Sequence, residues 1–223
     1  MDRFESYSRL TGDDRFRWIA DGSLDSFDRL QPKILKLRKE MSEVLSDCAD
    51  PDNPPTDYYT LRNDLHTLEE KRDQACIIAV VFTAMYFEAF IYDYSASCLG
   101  DRYSKDHLDK LDFISKWLVI PKLVTGKEIS KSSQAYESLK RLHMDRNLLV
   151  HLKSRALTLD HDAIAKYLID REKGIEQSVT NCCFALKCVI AELTEMDPDH
   201  PKLRLASQSR NKSIQPTAKA SAD

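Results

Sequence analysis

One long segment, from Asp57 to about Leu99, dominates the pattern of apolar residues in this sequence. Its first half carries a single apolar stripe at helical spacing, and its second half is apolar nearly all round. A helix that is apolar on every side has to be enclosed by other elements. The segment is therefore predicted to be the central helix of a helical bundle.

Glycine and proline usage supports the same class of fold. Only five glycines occur among 223 residues, and the prolines cluster between the apolar segments. A chain with few helix-breaking residues favours a small number of long helices, and no segment shows a clear strand pattern. We therefore predict an all-α protein, an antiparallel bundle of four or five helices with an additional N-terminal helix.

The N-terminal helix shows a heptad of apolar residues from Phe27 to Val44, with Pro32 inside it. The proline could kink this helix or mark its true start. The apolar face could pack on the bundle of the same chain or pair with a second chain.

Three more helices are predicted after the central one, over residues 106–119, 132–152 and about 160–195. Pro121 and Gly126 mark a predicted loop between the first two. The last helix is expected to bury an apolar face that includes, among others, Ile164, Tyr167, Leu168, Ile175 and Val179.

These elements define three predicted parts of the chain. Residues 1–56 form an N-terminal helical extension, and residues 57–197 form the bundle. Residues 198–223 are predicted to be a disordered polar tail, since those after about Leu205 are small and polar without periodicity.

Several observations predict a cytoplasmic protein that is not in the membrane. No apolar run approaches the roughly 20 residues that a membrane span needs, and no export signal is visible at the N-terminus. The six cysteines form no CxxC pair, so reduced, buried thiols are expected rather than disulfides or a metal site. The net charge of −3 argues against a general polyanion binder.

The chemistry of the sequence concentrates in the hexapeptide from Arg146 to His151. It places an arginine, the carboxamide of Asn147 and an imidazole within about a turn and a half of helix. Asn147 and His151 are four residues apart and share a face, which His143 extends upstream. Arginine offers a fork of donors that suits a phosphate, and histidine can accept or donate a proton near neutral pH.

Two neighbouring features bear on this candidate site. Residues 140–155 carry five Lys or Arg and one acidic residue, a local charge of +4 that is usually only a solvated face. Glu88 is a charge within an apolar stretch of the central helix and therefore needs a partner. It could form a structural ion pair with a neighbouring helix, or it could support an active site.

The segment Arg146-Asn147-Leu148-Leu149-Val150-His151 resembles the signature of the HEPN superfamily of helical domains. That signature is an Arg, often followed by Asn, Asp or His, and then a His a few residues later on a late bundle helix. The segments at 87–91 and 116–123 also look like core segments of bacterial members. The resemblance covers about residues 57–195.

The resemblance implies a metal-independent endoribonuclease, often a toxin or antiviral defence effector, in which two domains pair and line one cleft. The 2′-hydroxyl of RNA would attack the adjacent phosphodiester and leave a 2′,3′-cyclic phosphate. His151 would be the general acid or base, Arg146 would stabilise charge on the phosphate, and Asn147 would orient either group. His143 and Glu88 are supporting candidates, and no cofactor is expected.

The sequence departs from the family pattern at one position, and other functions remain open alternatives. HEPN toxins that pair with a nucleotidyltransferase antitoxin commonly carry a tyrosine two residues after the histidine, and this chain has Lys153 there. Control by such an antitoxin is therefore in doubt. The chain could instead be a catalytically silent binding or dimerisation module. A metal hydrolase using His143, Asp145 and His151 is disfavoured because the two histidines are eight residues apart.

Overall fold

The computed structural model describes residues 13–48, 50, 53–150 and 161–204, and all regular structure within these residues is helical. The helices are α1 (Asp13–Ser46), α2 (Thr56–Leu99), α3 (Asp101–Tyr103), α4 (Phe113–Thr125), α5 (Gln134–Val150) and α6 (His161–Met196). A π-helical turn, Ser104–Leu108, follows α3. The predicted all-α class is confirmed.

The described chain divides into two compact units. The first unit contains Asp13 together with residues 87–145 and 181–204, and the second contains residues 14–86 and 146–180. Helices α2, α5 and α6 each contribute one part to each unit. The units are therefore built from segments that lie far apart in the sequence.

The core of the first unit is organised around Trp117 on α4. Its ring meets Phe87 edge-on at 5.5 Å and lies nearly parallel to Phe90 at 6.4 Å. All three rings are almost completely buried, and such aromatic pairs add to the energy of area burial. Other fully buried side chains of this unit are Ile91, Tyr94, Ile120, Leu139, Leu142, Ile190 and Leu193.

The bounds of α4 differ from those predicted from the sequence. The helix starts after Asp112, whose carboxylate accepts hydrogen bonds from the backbone N–H groups of Ile114 and Ser115. Hydrogen bonds from the Ser115 hydroxyl and backbone hold the pKa of Asp112 below its usual value. Residues 106–108, predicted to open this helix, belong to the separate π-helical turn.

The predicted loop at 121–126 is wrong, because α4 continues through Pro121 to Thr125. A proline inside a helix removes one backbone hydrogen bond, and burial of Trp117, Ile120 and Pro121 on the inner face offsets that loss. Gly126 does end the helix, with a left-handed φ of 76° that glycine adopts without steric cost.

In the second unit, α1 packs against α2 and α6 of its own chain. Phe27 and Ile34 are buried, Gln31 donates a hydrogen bond to Glu176 on α6, and Arg38 pairs with Glu69 on α2. The first of the two packing alternatives is therefore found. The helix also begins well before Pro32 and runs through it.

An ion network joins the same three helices. Arg72 of α2, only 2% exposed, forms a two-pronged pair with Glu172 of α6 and also bonds Asp73. Arg38 of α1 bonds Glu172 as well, and Arg171 bonds Asp73. Burial disfavours the charge on Glu172, but hydrogen bonds and attraction from the two arginines outweigh it and lower its pKa.

The N-terminal part of α6 corrects a prediction about the core. Ile164, Tyr167 and Leu168 were expected to be buried, yet each is exposed. Their spacing continues that of the buried residues Val179 and Leu186 farther along α6. Period alone identifies an apolar face, whereas burial also requires a neighbouring element at that point along the helix.

The segment after α6 is packed rather than loose up to residue 204. Tyr94 donates a hydrogen bond to Asp197 at 2.9 Å, and Lys202 pairs with Asp93 at 3.0 Å. His200 and Leu203 are buried. The predicted tail is therefore wrong for residues 198–204, because these polar groups find partners in the first unit. Residues 205–223 lie outside the described part of the chain.

Helix α2 is long and apolar enough to pass a composition test for a membrane span. Its most apolar window of 18 residues has a mean hydropathy of 2.0, which corrects the expectation that no such run exists. Just over half of that window, 56%, is buried inside the protein, as occurs in the core helix of a folded domain.

Candidate functional site

Helix α5 carries most of the predicted site, and its start and inner face are well defined. The hydroxyl of Ser133 accepts a hydrogen bond from the backbone N–H of Tyr136, which caps the first turn. The buried side chains of α5 are Ala135, Ser138, Leu139 and Leu142. This face anchors the part of α5 that belongs to the first unit.

Arg146 occupies the next position of that same inner stripe. The stripe advances along α5 in steps of four and three residues, as one face of a helix does. Its members are Ala135, Leu139, Leu142, Arg146 and Leu149. Arg146 and Leu149 are half-buried. A guanidinium therefore stands where the helical pattern otherwise places an apolar side chain.

The structure brings Arg146 and Asn147 together. Nη1 of Arg146 donates a hydrogen bond to Oδ1 of Asn147 at 3.0 Å. A carboxamide is neutral, so this bond orients the guanidinium without cancelling its charge. Within the described residues, Arg146 takes part in no ion pair. An arginine held in this way is suited to an anion.

His143 and His151 have different outcomes. The ring of His143 lies parallel to that of Phe113, with centroids 5.3 Å apart and 9° between the planes. This stacking fixes the orientation of the His143 imidazole within the first unit. His151 lies outside the described residues, so its role as general acid or base stays a prediction.

Glu88 lies about half exposed rather than buried, and it has a structural partner on α4. Its carboxylate lies 3.4 Å from the ammonium of Lys116 on α4, which also pairs with Asp109 at 3.2 Å. Lys116 is buried, whereas the side chains of Glu88 and Asp109 are each about half exposed. The two carboxylates compensate the buried lysine, so a structural role accounts for Glu88.

Asn181 is a polar residue that the sequence analysis did not single out. It is only 5% exposed, and its amide donates a hydrogen bond to the carboxylate of Asp145 at 2.8 Å. The bond joins α5 to α6 at the residue directly before Arg146. The sequence feature that points to Asn181 is its polar side chain between the apolar residues Val179 and Cys182.

Farther along α5, the solvent-facing side combines basic and apolar groups. Lys140 and Arg141 are exposed. Met144, Leu148 and Val150 are also exposed, Leu148 to 66%. Basic groups attract phosphates and apolar groups can contact bases, so exposed side chains of both kinds on α5 are compatible with contact to a nucleic acid.

A serine and a histidine outside the predicted site also lie within hydrogen-bond distance. Oγ of Ser97 is 2.9 Å from Nε2 of His200, and the same Oγ donates to the carbonyl of Tyr94 at 2.8 Å. A hydroxyl has one proton, so Nε2 of His200 is the donor here. The pair therefore lacks the arrangement of a nucleophile and its base.

Metal and disulfide chemistry find no support in the described part of the chain. No group of three potential ligands occurs there, and none of the six cysteines, which all lie within it, forms a disulfide. Asp145 bonds Asn181 and His143 stacks on Phe113, so the two described residues of the disfavoured metal hypothesis already have structural contacts. Its third residue, His151, lies outside the described part of the chain.

Comparisons with known proteins add no further constraint. No family model, no curated protein and no solved structure matches this chain.

Proposed function

We propose that this chain is a HEPN-like, metal-independent endoribonuclease of the cytoplasm that acts as a homodimer, as a toxin or as a phage-defence effector. The observation that carries the proposal is the state of Arg146. Its guanidinium is half-buried, oriented by the neutral carboxamide of Asn147, and engaged by no carboxylate among the described residues.

The energetics of a charged group make this observation meaningful. Removing an arginine from water costs free energy, and an acidic partner normally offsets that cost. Among the described residues, Arg146 has no such acidic partner, although it bears part of the cost. A phosphate would complete the arrangement, because it offers the planar fork two acceptor oxygens.

The proposed reaction is transfer of a phosphodiester within RNA. The 2′-oxygen attacks phosphorus, the bond to the 5′-oxygen breaks, and a 2′,3′-cyclic phosphate and a 5′-hydroxyl result. His151 removes the 2′-hydroxyl proton or supplies the proton that the 5′-oxygen needs. Arg146 stabilises the negative charge that builds on the phosphoryl oxygens, and Asn147 holds the guanidinium in place.

Two copies of the chain would supply two Arg–His sets to one cleft, so one histidine could act as base and the other as acid. The 2′-hydroxyl is the nucleophile, and the reaction needs no metal ion. A second protein that covers the site would serve as an antitoxin, although Lys153 argues against control through a tyrosine at that position.

The test is cleavage of RNA by purified protein in excess EDTA, with analysis of the ends. We expect wild type to leave cyclic phosphate, and Arg146→Ala and His151→Ala to lose about 100- to 1,000-fold in rate. Arg62→Ala and His66→Ala are matched controls, because both side chains are exposed on α2 and belong to no predicted site. Equal rates for all five proteins would refute the proposal.

A second candidate function, a catalytically silent binding module, is favoured by a different observation. Four large apolar side chains are exposed on the first turns of α6, namely Ile164, Tyr167, Leu168 and Ile169. Exposed apolar groups of this kind are typical of protein-binding surfaces. Recovery of one stoichiometric protein partner, together with intact RNA in the EDTA assay, would favour this function.

A further inference from the structure

The segment directly after α6 is folded into a turn by local bonds. It comprises residues 197–204, which we call the strap. The backbone N–H groups of Leu203 and Arg204 both donate to the carbonyl of His200, and the Arg204 side chain pairs with Asp199 at 2.7 Å. These bonds join residues of the strap to one another, so they do not fasten it to another helix.

Side chains fasten the strap to the last turns of α2. The hydroxyl of Tyr94 donates to the carboxylate of Asp197 at 2.9 Å, and Nε2 of His200 donates to the hydroxyl of Ser97 at 2.9 Å. The His200 ring also lies 4.8 Å from the ring of Tyr94, which is fully buried. The strap therefore covers part of α2 through side-chain contacts.

Lys202 adds a tie that depends on charge. Its ammonium lies 2.8 Å from the carboxylate of Asp13, the first residue of α1, and 3.0 Å from that of Asp93 on α2. The same ammonium stands 4.9 Å from the centre of the Phe90 ring, within range of a cation–π contact. One positive charge on the strap thus serves two carboxylates and an aromatic ring outside it.

Asp13 relies on this lysine. It is only 1% exposed, and Lys202 is its one ionic partner within the described part of the chain. Its second oxygen, Oδ1, accepts no hydrogen bond from these residues. A buried carboxylate that loses its counter-charge is strongly destabilised, and two carboxylates that share one cation repel each other once it leaves. Lys202 is therefore the tie on which closure of the strap depends most.

We propose that the strap is a latch locked by Lys202, and that it opens while the rest of the first unit stays folded. Opening separates Asp197, His200 and Lys202 from their partners and uncovers Tyr94 and Phe90. The strap contributes one buried apolar side chain, whereas the helices of the unit are held by many. Small segments of this kind open at a lower free energy than the whole protein, as moving elements must. The latch does not depend on the proposed nuclease.

Native-state hydrogen exchange of wild type tests the opening directly. A single turn released from α2 does not persist in water, so the amides of Leu203 and Arg204 should exchange whenever the strap opens. We expect their protection factors to be at least about 100-fold lower than that of Ile190 in the core, with little dependence on low urea concentrations. Exchange of all three amides through one global unfolding event would overturn the proposal.

Lys202→Gln tests the lock. The neutral side chain leaves Asp13 without its counter-charge, so protection of the Leu203 amide should fall about 30-fold or more. Arg204→Gln is the matched control, because it removes a positive charge from the same strap but from an exposed pair with Asp199. It should leave the protection of Leu203 within about threefold of wild type. Equal effects of the two substitutions would overturn the proposal.

Ile120→Val distinguishes local from global opening. Ile120 is almost fully buried on α4 and takes part in none of the polar ties of the strap. Loss of one methyl group should lower the protection of Ile190 about fivefold, because that amide exchanges when the unit unfolds. The protection of Leu203 should not change, since the strap opens without unfolding α4. An equal loss at both amides would contradict a separate opening.

Asp93→Asn tests the shared charge through the sign of its effect. In wild type it removes one partner of Lys202, so the strap should open more often. In Lys202→Gln it removes the repulsion between Asp93 and Asp13, so the strap should open less often. The same sign in both backgrounds would overturn the lock. If Lys202→Gln fails to fold, as judged by circular dichroism, the exchange of wild type and of Ile120→Val still decides whether the strap opens.

Discussion

Arg72 and Arg146 occupy equivalent positions on two helices but have opposite surroundings. Each arginine replaces an apolar residue on an inner stripe, Arg72 on α2 and Arg146 on α5. Arg72 is almost fully buried and is neutralised by Glu172 and Asp73. Arg146 is half-buried, and its hydrogen bond goes to the uncharged Asn147.

The difference separates an arginine that holds a fold together from one that is available to a ligand. The carboxylates of Glu172 and Asp73 balance the charge of Arg72 within the protein. Burial disfavours that charge, but hydrogen bonds and attraction from the two carboxylates outweigh the effect of burial, so the pKa of Arg72 is raised. The charge of Arg146 is oriented but left unbalanced in the described residues. The presence or absence of an acidic side chain beside the arginine therefore distinguishes the two roles.

The largest effect on stability is expected from Arg72→Ala. Its removal leaves Glu172 and Asp73 partly buried beside the single remaining arginine of each, and should cost about 3–5 kcal/mol in the free energy of unfolding. Urea unfolding followed by circular dichroism measures this loss. Arg141→Ala, an exposed arginine, should stay within about 0.5 kcal/mol of wild type. Equal stability of the two variants would remove the structural role of Arg72.

A smaller effect, dependent on pH, is expected from Glu172→Gln, which gives Arg72 a neutral partner like that of Arg146. At neutral pH it should cost about 1.5–3 kcal/mol. Because the folded pKa of Glu172 lies below its ordinary value of 4.5, its charge stabilises the fold above that pH. The contribution is lost as pH falls through the folded pKa.

The corresponding measurement compares the unfolding of wild type and Glu172→Gln between about pH 7 and pH 3. The gap between the two proteins should be constant above about pH 4.5 and shrink below it. A gap that stays constant throughout would show that the ionisation of Glu172 contributes nothing to stability.

The reciprocal exchange, Asn147→Asp, gives Arg146 an acidic partner like that of Arg72. The new carboxylate would compete with a phosphate for the guanidinium, and RNA cleavage should fall about tenfold, or about 1.4 kcal/mol. Asn147→Ala removes the orienting bond but keeps the charge, so its loss should be smaller. A faster enzyme in Asn147→Asp would contradict the role assigned to Arg146.

The smallest effect is expected from Glu88→Gln. Lys116 keeps Asp109 as a partner and the Glu88 side chain is about half exposed, so the cost should be under about 1 kcal/mol. RNA cleavage should be unchanged. Asp109→Asn, which removes the other carboxylate near Lys116, is the matched control. A selective loss of cleavage in Glu88→Gln would instead establish a supporting role in the site.

The candidate site could be predicted in part from sequence. The spacing of Arg146 and Asn147 placed both on one late helix, and the structure confirms that helix and joins the two side chains. The bond between Asp145 and Asn181 could not be predicted, because the partners are 36 residues apart and come from different helices. An ion pair between Glu88 and a neighbouring helix was one of the two predicted alternatives, but the sequence could not identify Lys116 as the partner.

The helical character of the protein and the course of most helices follow from the sequence alone, because helical period and scarce glycine are local properties of the chain. Which apolar faces are covered follows only from the folded arrangement. Ile164 and Leu168 share the period of the buried residues of α6 yet stay exposed, while α4 runs through Pro121 because its inner face is packed. Burial depends on neighbours that are distant in sequence, and the same is true of whether an arginine meets an acid.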